Sequence, residues 1–234
     1  MQIIRSMTLT RLLVLVAGLL ICKVTAAVVI GYRNYLPPNF DSDFLHGRES
    51  YFFGAYQWAF YTHIASGPVS LVLGMLLISE RFRCRFPAWH RRLGRVQVVC
   101  VLLMVAPSGL WMARYTATGP IAGIGFAVLS ILTATCVVVG WRNAVKTRFA
   151  EHRRWMWRCF LLLCSAVVLR VLGGTATVFG VQSEWFDPIA SWASWLIPLS
   201  TYELCRLANR RRTHQRPNAA AHFEPSVVSI PSSD

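Results

Sequence analysis

Residues 90–95 read His-Arg-Arg-Leu-Gly-Arg, and residues 152–158 read His-Arg-Arg-Trp-Met-Trp-Arg. Each phrase stands between two apolar runs: 57–78 and 96–113 flank the first, 121–141 and 156–177 the second. About 20 apolar residues are needed for an α-helix to cross roughly 30 Å of hydrocarbon, because in lipid every backbone N–H and C=O must bond within the segment. The two phrases therefore mark the bends of two hydrophobic hairpins. That reading decides the fold class: all-α, an integral membrane helical bundle.

Two more runs lie outward of the hairpins, at 12–31 and 189–207, so about six transmembrane helices fill residues 1–207. The first run follows Arg5 and Arg11 and contains Ala26-Ala27, a conceivable cleavage site. It continues apolar to Ile30, longer than a signal peptide's core, and is read as a retained span. Residues 32–56 form the longest connection and carry Tyr32, Tyr35, Phe40, Phe44, Tyr51, Phe52, Phe53 and Tyr56. Such residues favour the membrane interface, so this loop is expected to lie along it. Gly119-Pro120 breaks the chain between the third and fourth spans. Residues 208–234 open with Arg210-Arg211-Arg212 and turn Pro-, Ser- and Ala-rich without apolar period, which predicts a disordered cytoplasmic tail.

Composition agrees, with 55% hydrophobic and 15% charged residues. The net charge of +14 sits between spans instead of on a polar face, which excludes nucleic acid as a partner and makes the charge a matter of threading. With the N-terminus taken as cytoplasmic, 19 Lys and Arg fall inside and only Arg33, Arg48 and Arg114 outside. The positive-inside rule then puts the protein in a cell inner membrane as a multi-pass chain with both termini cytoplasmic. The seven cysteines form no C-x-x-C pair and mostly lie in apolar runs, as inert thiols do.

Three ionisable side chains fall inside the bilayer, where polar groups mark function by default. Lys23 lies 11 residues into the first span, about 16 Å deep at about 1.5 Å per residue. Arg170 lies at similar depth in the fifth, and His63 about two turns below the outer end of the second. Together they are candidate ligand-binding residues for a carboxylate, a quinone oxygen or a haem propionate. Glu203 joins this list, although its place near the inner end of the sixth span suits an ion pair with Arg158 or a neighbour.

The basic phrases offer two uses beyond fixing topology. Arg91, Arg92, Arg95, Arg153, Arg154 and Arg158 surround helix N-termini whose free N–H groups favour anions, so they are candidate anion or lipid ligands at a face rich in anionic head groups. His90 and His152, at equivalent bends, are candidate metal ligands. If the two hairpins are related, the relation is a twofold axis along the membrane normal, which would bring these imidazoles face to face as axial ligands of haem b. Neighbouring cations favour the neutral imidazole that ligation requires. The equivalence does not extend to His63, because the position at the same offset is Gly125. Small residues at Ser66-Gly67, Gly74, Ser108-Gly109, Gly119, Gly123-x-Gly125 and Gly173-Gly174 permit close helix packing. No Ser-His-Asp set, phosphate loop, H-E-x-x-H or paired carboxylates stands within a span, so no enzyme activity is assigned.

His63 with Gly67, Pro87-x-x-His90-Arg91-x-x-Gly94-Arg95, Gly109-Leu110, Gly125-Phe126, His152-Arg153-Arg154-Trp155-Met156-x-Arg158, Arg170, Trp195-x-x-Pro198 and Glu203 are together similar to a bacterial family of predicted multi-span membrane proteins catalogued as a domain of unknown function. The likeness covers about 60–205, and Thr118-Gly119-Pro120 replaces the Gly-Gly-rich turn frequent there. The resemblance implies a membrane bundle and no activity. Three functions stay open: binding an anionic lipid or lipophilic ligand, a b-type haem or quinone-linked redox protein, and a small transporter.

Overall fold

The computed structural model describes residues 2–42, 44–181 and 183–220. Among these, the long elements are six helices and there are no strands. They are α1 (Gln2–Gly31), α2 (Ala55–Ile78), α3 (Pro87–Ala113), α4 (Pro120–Val145), α5 (Phe149–Val178) and α6 (Phe186–Ala220). Five segments are long and apolar enough to cross a membrane: Val14–Tyr35 and the whole of α2, α3, α4 and α5. α6 completes the bundle. Its apolar half is interrupted by Ser191, Ser194, Thr201, Tyr202 and Glu203.

Two boundaries differ from the sequence reading. α3 and α5 begin at Pro87 and Phe149, so both basic phrases lie within the opening turns of helices and are not loops at the foot of a span. Pro87 is preset for the first helical position, and arginine is a good helix former that apolar counting overlooks. α6 likewise runs to Ala220, through residues whose composition predicts no regular structure. Extending an existing helix needs no new nucleus, and the arginines there favour it. Residues 221–234 of the expected tail lie outside the described residues.

The two hairpins close into a four-helix ring. α2 and α4 each pack on both α3 and α5, while the pairs α2/α4 and α3/α5 stay apart across the diagonals. α3 and α5 run parallel, as a twofold axis through the ring would require. Val101, Cys136, Val137, Cys159 and Leu162 fill its centre together with Trp195 of α6, which lies against α4 and α5. α1 packs outside the ring, on α5 and α2.

Small residues set how closely these helices approach. At Gly123 of α4 a Cβ would stand 2.7 Å from the Ala113 carbonyl oxygen, so the α3–α4 hairpin closes only on glycine. The turn before it uses Gly119 at φ +91°, a conformation other residues resist. At Gly125 a Cβ would stand 2.9 Å from the indole nitrogen of Trp192, which donates to the Ile121 carbonyl. α6 thus occupies the place on α4 that corresponds to His63 on α2, which accounts for the broken equivalence.

Within α3, Val101–Val105 form a π-turn, with the Ala106 N–H bonded to the Val101 carbonyl. Pro107 follows directly. It has no N–H to donate and its ring would collide with a carbonyl of the preceding turn, and the widened turn relieves both.

Beyond the helix ends opposite the basic phrases, the aromatic connection folds as a cap. Leu45, Phe52, Tyr56 and Phe60 are buried, with Tyr35, Phe40, Tyr51 and Tyr115 packed around them. Arg48 is buried among them at 8% exposure. Its guanidinium donates to the Tyr56 hydroxyl (3.1 Å) and the Phe44 carbonyl (2.7 Å) and lies 4.6 Å from the centre of the Phe44 ring. The loop is therefore packed on itself and on α2, a tighter arrangement than aromatic side chains resting singly at an interface.

Candidate functional site

α1 and α5 bring Lys23 and Arg170 onto one groove of about 350 Å³, walled by Leu20, Val24, Gly174 and Phe179 among others. Among the described residues, no carboxylate lines it. Lys23 stands nine residues after Val14, about 14 Å along the span. Arg170 stands eight residues before Val178, about 12 Å from that end. The Arg170 guanidinium donates to the Ala166 carbonyl at 3.0 Å, a bond within its own helix that leaves most of its N–H groups free for a ligand. Lys23 is exposed and makes no hydrogen bond or ion pair among the described residues. A cation at such depth raises the energy by about 2.5–3.5 kcal/mol on insertion scales.

His63 stands apart from the groove wall but within electrostatic reach of Arg170, as does the Tyr32 hydroxyl. Its Nδ1 lies 3.1 Å from the Ser108 hydroxyl oxygen. The Ser108 hydroxyl also lies within hydrogen-bond distance of the Met104 and Val105 carbonyls, and its role toward Nδ1 follows the imidazole tautomer. The ring fits because Gly109 has no side chain, since a Cβ there would lie 3.2 Å from His63 Cε1 and 2.9 Å from the Ser130 hydroxyl. This contact sits beside the π-turn, a feature frequent at functional sites.

Glu203 is not with these three. It joins Arg158 at the basic end, accepting from Nε at 2.6 Å, and its second oxygen lies 3.4 Å from Arg206. Arg158 also lies 4.5 Å from the centre of the Trp155 ring. Of the remaining phrase arginines, Arg154 pairs with Glu151, Arg92 lies over Trp89, and Arg91, Arg95 and Arg153 are exposed. The phrases thus do unlike things: Arg158 ties α5 to α6, and the others are exposed at the basic end.

The two phrase histidines both turn inward. His152 Nδ1 donates to the Gly140 carbonyl at 2.9 Å, and His90 Nδ1 is buried with no partner among the described residues.

Residues that sequence reasoning missed are those whose roles depend on tertiary neighbours. Gln97 is fully buried between α3 and α2, its amide donating to the Ser70 carbonyl at 3.0 Å, and Ser70 donates to Cys100. The only sequence signal was a glutamine inside an apolar run. Four thiols, Cys100, Cys136, Cys159 and Cys164, are buried, while Cys22, Cys84 and Cys205 are exposed; all seven are free.

Residues 60–205 match the family model of DUF2306, described as a predicted membrane protein. The chain belongs to the DUF2306 family. The DUF2306 region takes in the four-helix ring and the first part of α6, with His63, His90, His152, Arg170 and Glu203, and leaves α1 and Lys23 outside. No curated protein and no solved structure matches the chain.

Proposed function

We propose that this multi-span membrane protein binds an anionic lipid or another anionic lipophilic molecule in the groove between α1 and α5. The observation that carries the proposal is the pairing of Lys23 with Arg170 on one apolar groove without a carboxylate. An anionic head group entering from the bilayer exchanges an unneutralised pair of cations for charge-assisted hydrogen bonds, while its chains keep the surrounding apolar walls dry.

The same reading sets the orientation. Residues 1–207 are the transmembrane unit, the basic ends of α3 and α5 face the cytoplasm of a cell inner membrane, and both termini are on that side. The supporting fact is the charge asymmetry, with arginine concentrated at one end of every hairpin.

The test is lipid analysis of detergent-purified protein. Wild type retains an anionic lipophile after washing, and Lys23→Gln and Arg170→Gln each lower its occupancy by at least fivefold. Equal retention by wild type and the double variant contradicts the proposal.

A further inference from the structure

We infer that a second groove, between the cap-side ends of α3 and α4, holds the head group of an anionic phospholipid on Arg114, with an acyl chain along the apolar wall below it. Arg114 closes α3 at the end of the bundle that cations otherwise avoid, where only Arg33 and Arg48 accompany it. Segregation of charge keeps arginine from that side of a membrane, so a cation left there calls for a partner. Arg48 has its partners, since it is buried in the cap on Tyr56 and Phe44. Arg114 is exposed, and its guanidinium makes no hydrogen bond or ion pair among the described residues.

The groove has a volume of about 610 Å³, and Arg114 and Thr116 line it together with Leu110, Ile124 and Ala127. Ala113 and Gly123 are part of the same lining. They hold the two helices at a fixed separation, because a Cβ at Gly123 would stand 2.7 Å from the Ala113 carbonyl oxygen. The Thr116 hydroxyl donates to that same carbonyl at 2.7 Å. The ring of Tyr115 stacks on Tyr51 with 5.1 Å between centres and meets Tyr56 edge-on at 5.3 Å. Backbone on both sides of Arg114 is thereby held, by the hairpin on one side and by the cap on the other. The groove is preformed, so a ligand loses little affinity to ordering it.

Three features select the ligand. A guanidinium offers paired donors that match a phosphate group. Among the described residues no carboxylate lines the groove, so the ammonium of a zwitterionic head group would find no counter-charge there and a net anion is favoured. Pro120, Gly123, Ile124 and Ala127 fall at i, i+3, i+4 and i+7 and so share one face of α4. That face runs about 10 Å inward from the helix end, opposite Leu110, and suits an acyl chain better than a free water-soluble anion. Depth separates this site from the groove between α1 and α5. Arg114 stands at a helix end, level with lipid phosphates, whereas Lys23 and Arg170 lie within their spans. α1 packs on neither α3 nor α4, and the two grooves share no residue.

The experiment reconstitutes the full chain in vesicles of zwitterionic lipid containing a phosphatidylglycerol with a photoactivatable group near the head of one acyl chain, and maps the cross-linked peptides. Wild type is expected to be labelled between residues 110 and 127, at least fivefold more than by the matching phosphatidylethanolamine probe. Arg114→Gln, eluting as a folded peak, loses that preference, and Arg114→Lys, which keeps the charge without the paired donors, retains part of it. Excess inorganic phosphate leaves the labelling unchanged. The Lys23→Gln and Arg170→Gln double variant is labelled at 110–127 as wild type is, so failure of the α1–α5 groove and failure of this site are told apart. The inference is overturned if the two probes label 110–127 equally, if Arg114→Gln keeps the wild-type preference, or if inorganic phosphate abolishes the labelling, which would make this a site for a free anion.

Discussion

Glu203 shows how much of a membrane protein's chemistry a single side chain commits. A carboxylate in an apolar helix must find cations, and it finds Arg158 at 2.6 Å and Arg206 at 3.4 Å. The Arg158 and Glu203 side chains retain 17% and 29% of their exposure, so the pair is screened at the membrane edge and its coupling falls below that of a fully buried pair. A double-mutant cycle with Arg158→Gln and Glu203→Gln is expected to give about 1–2 kcal/mol of coupling in thermal unfolding in detergent. Additive single effects would contradict the geometry. This ion pair was legible in the sequence because opposite charges near the same end of two spans have few alternatives. Gln97 and Arg48 were not, because their partners are a backbone carbonyl, a tyrosine hydroxyl and an aromatic face that only the fold brings together. Lys23 and Arg170 stood out as mid-span cations, yet their sharing one groove depends on α1 packing against α5, which no spacing encodes.

At the scale of elements, glycines sort into those that set contact and those that do not. Gly123 faces a backbone carbonyl oxygen that cannot step aside, with 2.7 Å between it and an added Cβ. Gly140 would meet the sulfur of Met156 at 2.8 Å, the flexible end of a side chain. Gly67 and Gly173 face nothing within 4 Å. Thermal midpoints in detergent should therefore fall most for Gly123→Ala, less for Gly140→Ala, and stay level or rise for Gly67→Ala and Gly173→Ala, since alanine favours helix by up to about 1 kcal/mol. A fall for Gly67→Ala as large as that for Gly123→Ala would show that the hairpin packing is wrong. The sequence had marked Gly67, Gly74, Gly109, Gly123, Gly125, Gly173 and Gly174 alike as packing residues, and only neighbours across the interface separate them. Helix starts were the other illegible feature: arginine-rich opening turns and a loop look the same to a count of apolar residues. The cap supplies a second element-level prediction. Arg48→Ala removes the guanidinium joining Phe44 to Tyr56 and should speed proteolysis between residues 36 and 54 at least threefold, with the bundle otherwise resistant. Unchanged cleavage would mean that the cap is held without Arg48.

For the whole molecule, the apolar runs and the basic bends made the membrane bundle readable at once, because lipid leaves a chain few ways to satisfy its backbone. The same physics makes the threading testable. Reporter fusions after residue 86 and after residue 148 should fall on one side of the membrane, and a fusion after residue 117 on the other; any other pattern contradicts the ring. What lipid does not dictate is the use of the interior, and there the account rests on two cations without an acid. A photoactivatable fatty acid with its reactive group in the chain, reconstituted with the protein, probes them directly. The account predicts cross-links to α1 near residues 20–24 and to α5 near residues 171–178, reduced at least fivefold by methyl esterification of the acid or by the Lys23→Gln and Arg170→Gln double variant. Equal labelling by acid and ester, or labelling spread evenly over the lipid-facing surface, would contradict it.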